Sequence, residues 1–340
     1  MKAVRLHGPR SFRTDDVPEP SPGPGEVKIA VRSVGVCASD VHYFLHGRIG
    51  AAEAVGPFIL GHEFSGVVEQ VGEGASAHLR PGQAVTAEPV RPCGTCPSCL
   101  RGEYNVCPNL LFFGTPPQDG CLCQHVVCLA RFTFPLPQGV SLDEGAMTEP
   151  LAVGVEAAAI AGPLDGASCL VIGAGAIGLS AVQALRAGGA RSVAALEPIA
   201  ERRAAALELG ALAAELKDAE ATARLLGPDG PDVVVEAAGE PDAPQLAVDL
   251  VRPGGTVVLA GIPEQDLLSI RASTPRRKGL TIRFVRRYRH RFATALGLLA
   301  AGRANVGRYV THIYGPEQTA EAFDLTATRR DGIIRAVIRF

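Results

Sequence analysis

Cys93, Cys96, Cys99 and Cys107 stand in a C-x2-C-x2-C-x7-C arrangement. Four thiols at this spacing, interleaved with Gly94, Pro97, Gly102 and Pro108, let one loop wrap a tetrahedron, the closed all-sulfur set of a structural zinc site. A second set is of another kind. Cys37 and the adjacent pair His62-Glu63 offer sulfur, imidazole and carboxylate from separate segments, and three mixed ligands leave a coordination position open to water or substrate. One zinc that staples a loop and one that does chemistry are therefore expected in the same N-terminal half.

A glycine motif lies further along. Gly173-Ala-Gly175-Ala-Ile177-Gly178 follows an apolar run at 169–172 and opens an apolar helical stretch, the context that gives a G-x-G-x-x-G match its meaning. Gly173 permits the tight turn, Gly175 lets the backbone approach a pyrophosphate, and Gly178 lets helix and strand pack closely, with the phosphates on the helix N-terminus. Glu197 comes 19 residues after Gly178, at the end of the next strand. A carboxylate there accepts the adenosine ribose hydroxyls and repels a 2'-phosphate, which favours NAD over NADP. Ile177 and Arg202 join the cofactor-contacting positions, although Arg202 and Arg203 bring positive charge that would suit a 2'-phosphate.

These motifs must be held by two domains, since 340 residues are long for one core. Up to about residue 150 the chain reads as short alternating runs (27–34, 65–71, 83–87, 123–128) broken by Gly and Pro, the pattern of an all-β domain. The proline-rich stretch 18–25 is a connecting loop. After Glu149 the texture changes. Helical stretches (151–161, 177–187, 200–209, 243–250) alternate with apolar strands (169–172, 193–196, 233–237, 256–260), which implies a parallel, doubly wound sheet. Strand-like text returns from about residue 281, and the alternating tail 333–340 is expected to rejoin the first domain. The expected division is 1–151 with 287–340 against 152–286.

Hydrophobic residues make up 47% and charged residues 20% of the chain, with a formal net charge of -2, so no global bias toward nucleic acid or anionic membrane exists. No stretch is long and apolar enough to span a bilayer, and no signal-peptide pattern is seen. Nine cysteines, several placed for metal, suit a reducing cytoplasm. Residues 271–291 hold eight arginines and one lysine without an acid. Such a run can read as a nucleic-acid surface, but strand-like alternation at 281–288 favours charges that meet acidic surfaces at a domain or subunit contact. His7, His78, His125, His290 and His312 receive no role. Cys121, Cys123, Cys128 and Cys169 read as core, with Cys121 and Cys123 alternating on one face of a strand.

Both metal sets, the glycine turn and their order together resemble the zinc-dependent medium-chain dehydrogenase family over essentially the whole chain, in particular its sorbitol/xylitol-type polyol dehydrogenases. The matching text is Cys37-Ala-Ser-Asp-Val-His-Tyr43, His46-Gly-Arg-Ile-Gly50, Gly61-His-Glu63, Phe112-Phe-Gly-Thr-Pro-Pro-Gln-Asp-Gly120, Thr148-Glu-Pro-Leu151 and Arg287-Tyr288. The resemblance implies an α/β protein with a GroES-like β-rich catalytic domain and a Rossmann NAD-binding domain. It also implies two Zn(II) ions, a polyol substrate oxidised to a ketose, and a homotetramer or homodimer. Other zinc dehydrogenases of the family, for threonine, butanediol or simple alcohols, are the nearest alternative. An inactive binding protein on the same scaffold is a more distant one.

The resemblance puts Cys37, His62 and Glu63 on the catalytic zinc. Glu149 occupies the position where simpler alcohol dehydrogenases carry a second cysteine; here it would contact the water or substrate and exchange onto the metal during turnover. Zinc acts as a Lewis acid, lowering the hydroxyl pKa and orienting the C-H toward the nicotinamide. Ser39 would take the substrate proton and pass it through the cofactor ribose to His42, which opens on solvent. Asp40 would accept the N-H of His62 and fix its tautomer. Tyr43, Thr115, Arg287 and Tyr288 match positions that bind polyol hydroxyls, with the five donors of arginine suited to a chain of them.

Overall fold

The computed structural model describes residues 1–75, 78–264 and 267–340. They form two compact units, Met1–Glu149 with Val306–Phe340, and Pro150–Asn305.

In the first unit the strand Glu26–Gly35 carries the sheet. It is buried at nearly every position, as a strand covered on both faces must be, and valine and isoleucine supply the β-branched surface. Glu63–Val71 pairs antiparallel along one edge, with Gly35 opposite Glu63. The other edge is shared. His125–Leu129 pairs with its beginning, and Arg335–Arg339 with its end, where Val337 faces Gly35. The last strand thus returns to the first unit and brings its side chains up to the segment that leads into Cys37. Residue 121–124 backbone is not strand: the amides of Gly120 and Cys121 bond back to Ile59 and Gly61, so the expected strand 123–128 begins at His125. Cys121, Cys123, Cys128 and Cys169 are all buried.

The four-cysteine loop leaves this unit through a narrow neck. Val90–Arg91 pairs antiparallel with Leu111–Phe112, and the loop containing all four cysteines runs between these two short strands. A small core of Val90, Tyr104 and Phe112 packs at the neck.

The second unit holds a six-stranded sheet, all of whose neighbours are parallel, in the spatial order Leu212–Ala214, Ser192–Leu196, Ser168–Ile172, Val233–Glu236, Thr256–Leu259, Thr281–Phe284. Numbered along the chain this is 3-2-1-4-5-6, the doubly wound arrangement of a Rossmann-type domain. The expected division at residue 287 moves to Asn305, since residues 287–305 belong to the second unit. Thr281–Phe284 is its sixth strand, and the following helix Phe292–Ala300 is tied to the same unit by Arg291 Nε to Glu156 at 2.6 Å and Asn305 N to Gln183 Oε1 at 2.6 Å. Alternation alone reports a strand without saying which sheet it joins. No helix among the described residues is long and apolar enough to cross a membrane.

Candidate metal centres and cofactor turn

Cys37 caps the helix Ala38–His46 in extended backbone, so its thiol sits where the chain turns from sheet to helix. His62 and Glu63 come from the other side, at the start of the strand Glu63–Val71. One ligand atom from each of Cys37, His62 and Glu63 lies within 4.8 Å of the others. His62 and Glu63 are buried, and neither Glu63 oxygen makes a hydrogen bond of acceptable geometry. A fully buried carboxylate left so is costly unless a cation meets it. A thiol, an imidazole and a buried carboxylate whose oxygens make no hydrogen bond form a donor set that fits a zinc ion.

Asp40, on the same helix and buried, places Oδ1 3.4 Å from His62 Nδ1, and the same oxygen accepts the Gly61 amide at 3.3 Å. Burial opposes the imidazolium, yet the charges and hydrogen bonds of Asp40 and the Cys37 thiol hold the His62 pKa well above its usual value. The pocket is therefore built to welcome positive charge, which a dication can supply in place of the proton. The Phe112 ring packs beside the His62 ring, tilted by 52° with centroids 5.2 Å apart.

Sequence reasoning missed one charged member of this site. Arg335, buried on the last strand, places Nη2 3.1 Å from Glu63 Oε1 and donates from Nη1 to the Val36 carbonyl at 2.8 Å. Burial works against its charge, but Glu63, Cys37, Glu149 and Asp40 raise its pKa further. The available signal was an arginine inside the apolar run Ile333-Ile-Arg-Ala-Val-Ile338. Glu149, buried in the first turn of the helix Thr148–Ala161, is outside the three-atom cluster, although its field is felt at Arg335.

The second set also converges. Ligand sulfurs of Cys93, Cys96, Cys99 and Cys107 all lie within 4.8 Å of one another, with Cys107 Sγ 3.5 Å from Cys93 Sγ. Backbone amides of Thr95 and Cys96 point at Cys93 and bring its thiol down to about 6, while burial and the neighbouring sulfurs push Cys99 up to about 12. Sulfurs so close compete for negative charge until a dication lets all of them ionise, so this set too fits zinc. A third grouping, Glu19, Glu69 and His125, is an ion-pair cluster instead: the Lys28 ammonium bonds to Glu19 and lies 2.9 Å from Glu69.

In the second unit Gly173 ends the first strand at φ +88, and a Cβ on it would lie 2.9 Å from the Ala238 backbone. A Cβ on Gly178 would lie 1.8 Å from the Gly173 carbonyl, so only glycine lets this helix reach its strand. Above Gly175 there is open space, the nearest atom being Nη1 of Arg202, 3.8 Å from a built Cβ. Ile177 is half-buried on the helix Ala176–Ala187. Glu197 is buried at the strand end; its Oε2 accepts the Ala174 amide at 2.7 Å and its Oε1 the Ile199 amide at 3.0 Å. Arg203 is turned onto the carbonyls of Glu197 and Pro198, leaving Arg202 as the arginine beside the glycine turn.

Ser39 and His42 are half-buried on the helix Ala38–His46, and Tyr43 is buried there with the first unit's core. Thr115 lies half-buried three residues past Phe112, its amide bonded to the Phe112 carbonyl at 3.1 Å. Arg287 and Tyr288 belong to the second unit. Tyr288 is buried against Phe292, and Arg287 holds a left-handed backbone at φ 54, an uncommon conformation for a residue with a side chain. In the basic run, Arg271 pairs with Asp249, Arg291 with Glu156, and Lys278 donates to the carbonyls of Val248, Asp249 and Val251.

Residues 23–138 match the family model described as alcohol dehydrogenase GroES-like domain, and residues 176–301 match that described as zinc-binding dehydrogenase. The chain is 39% identical to sorbitol dehydrogenase of Gallus gallus over 97% of its own length and 94% of the relative's. An Escherichia coli oxidoreductase/dehydrogenase of unknown specificity superposes with a TM-score of 0.93 at 33% identity, covering 99% of this chain and 98% of that one. The 2R,3R-butanediol dehydrogenase of Bacillus subtilis superposes at 0.88 with 28% identity, over 100% and 99% of the two chains. With its two donor sets, its glycine turn and these likenesses, the chain belongs to the zinc-containing alcohol dehydrogenase family.

Proposed function

We propose that this protein oxidises a secondary hydroxyl of a sugar alcohol such as sorbitol or xylitol to a ketose, with NAD as hydride acceptor and two zinc ions per subunit. The observation that carries this reading is the third ligand. A carboxylate, Glu63, stands with Cys37 and His62 where the donor atoms converge, in a chain 39% identical to a sorbitol dehydrogenase across nearly its full length. Zinc bound there supplies a Lewis acid that lowers the hydroxyl pKa.

The chain's own residues supply the rest. Asp40 holds the Nδ1 proton of His62 and leaves Nε2 to face the metal. Ser39, two residues beyond Cys37, is the acceptor for the hydroxyl proton, and His42 on the same helix passes it on to solvent. Glu149 contacts the substrate from the start of its helix. Tyr43, Thr115, Arg287 and Tyr288 are the positions at which the resemblance expects contacts to a row of neighbouring hydroxyls, contacts that a site for small apolar alcohols would lack. NAD is favoured because the buried Glu197 carboxylate stands beside the glycine turn, where a 2'-phosphate would meet its charge. We further propose a homodimer or homotetramer, supported by the edge strand Thr281–Phe284, which exposes 67% of Phe284.

Initial rates with four- to six-carbon sugar alcohols, simple secondary alcohols and L-threonine, each with NAD and NADP on zinc-assayed protein, test this reading. NAD-linked turnover selective for sugar alcohols supports it. Turnover confined to butanediol, threonine or simple alcohols would transfer the same zinc chemistry to the second reading, which the likeness to a butanediol dehydrogenase favours.

A further inference from the structure

Glu88 has no part in the chemistry above, yet it is 3% exposed. It follows the strand Ala84–Ala87, where its amide bonds to the Phe132 carbonyl at 2.8 Å. Its Oε2 accepts the Tyr104 hydroxyl at 2.8 Å. Tyr104 lies between Cys99 and Cys107, inside the four-cysteine loop, and its ring packs on Phe132 with centroids 5.2 Å apart. A carboxyl group anchored at the body of the unit and a hydroxyl carried by the metal loop are thus joined across the neck.

That neck ends at the catalytic donor set. Phe112, opposite Val90 in the two-stranded ladder and packed in the same small core as Tyr104, lies against the His62 ring with centroids 5.2 Å apart. A contiguous connection therefore runs from Glu88 through Tyr104 and Phe112 to His62.

We infer that the Tyr104–Glu88 pair is a strut through which the closed four-cysteine loop holds Phe112 in place, making Tyr104 and Glu88 positioning residues for the three-ligand metal site. Without the strut the loop still closes on its own sulfurs. Phe112 is then free to tilt from the His62 ring, and the imidazole loses the wall that keeps it aimed at the metal. This inference rests on the reading of Cys37, His62 and Glu63 as zinc ligands, and it is independent of which alcohol is oxidised.

The experiment follows zinc release to a chromogenic chelator from the wild type, Tyr104→Phe and Glu88→Leu, each of which removes one partner of the hydrogen bond, with Cys37→Ser assigning the phase that belongs to the three-ligand site. The expected result is release from that site accelerated by roughly tenfold in both variants, the range seen when groups supporting a metal ligand are removed. The four-cysteine phase should change little. Leu100→Ala, which trims an exposed side chain of the same loop, should release zinc like the wild type. Unchanged three-ligand release in both variants overturns the strut, as does acceleration confined to the four-cysteine phase, the mark of a purely local structural role. If Glu88→Leu does not fold, Tyr104→Phe decides alone, since it keeps the ring on Phe132. A wild type holding one zinc, in the cysteine loop, overturns both this inference and the ligand assignment. Two zinc ions without alcohol oxidation overturn only the proposed function.

Discussion

Arg335 Nη2 lies 3.1 Å from Glu63 Oε1, and both side chains are buried. The carboxylate thus has two claimants, a guanidinium fixed on the last strand and a metal between Cys37 and His62. Removing one partner of a buried ion pair costs on the order of 3 to 5 kcal/mol, because the other charge is left without compensation. Arg335→Met should therefore destabilise the metal-free protein by about that amount, and the zinc-loaded protein by clearly less, since the dication still meets Glu63. Urea unfolding with chelator and with zinc checks this; equal losses in the two conditions would mean that Glu63 does not face the metal.

Asp40→Asn leaves the shape of the helix Ala38–His46 intact but offers His62 Nδ1 an amide in place of a carboxylate. The loss of charge and of a fixed tautomer should weaken zinc at the three-ligand site by roughly 10- to 100-fold. Competition titration against a chelator of known affinity reads this directly. An unchanged affinity would show that the 3.4 Å approach does not support the ligand.

Glu197→Ala should raise the ratio of NADP to NAD turnover, because the charge that repels a 2'-phosphate is gone and Arg202 remains beside the glycine turn. The same carboxylate holds the amides of Ala174 and Ile199, so KM for both cofactors should also rise as the turn loosens. Steady-state kinetics with each cofactor separates the two effects: a risen KM with an unchanged ratio would leave Glu197 only its role in the turn.

Burial raises the Glu88 carboxyl from 4.5 to about 7, against the Tyr104 hydrogen bond and with the help of Glu149. The folded protein thus keeps a proton that the unfolded chain releases within that window. Stability from this group is present at low pH, declines as pH rises toward 7, and is flat above it. The full difference is at most about 3 kcal/mol. Glu88→Gln cannot titrate, so its melting temperature relative to the wild type should rise between about pH 5 and about pH 8. Parallel curves would contradict this.

Much of the site is written locally. The cysteine spacing and the glycine turn depend on residues within a few positions of each other, and Asp40 is three residues from Cys37 on one helix, so type and spacing suffice. Arg335 is different. It reaches Glu63 only because the last strand pairs beside Gly35, a contact nearly 300 residues long in sequence that no local pattern encodes. Glu88 sits between Ala87 and Pro89 without any motif and gains its character from burial. The strand Thr281–Phe284 was legible as a strand, while its place as sixth in the parallel sheet follows from pairing with Thr256–Leu259, which periodicity does not report. Leu212–Ala214, three residues at the opposite edge, is too short to show a period at all.

The most direct test of the central claim is the identity of the product. Zinc-loaded protein incubated with xylitol or sorbitol and NAD, followed by carbon NMR of the sugar and absorbance of the nicotinamide, should yield a ketose and reduced NAD in equal amounts. An aldose would mean that a primary hydroxyl reacts. Absence of reduced NAD with every sugar alcohol, in a sample that turns over butanediol or threonine, would contradict the proposed polyol oxidation.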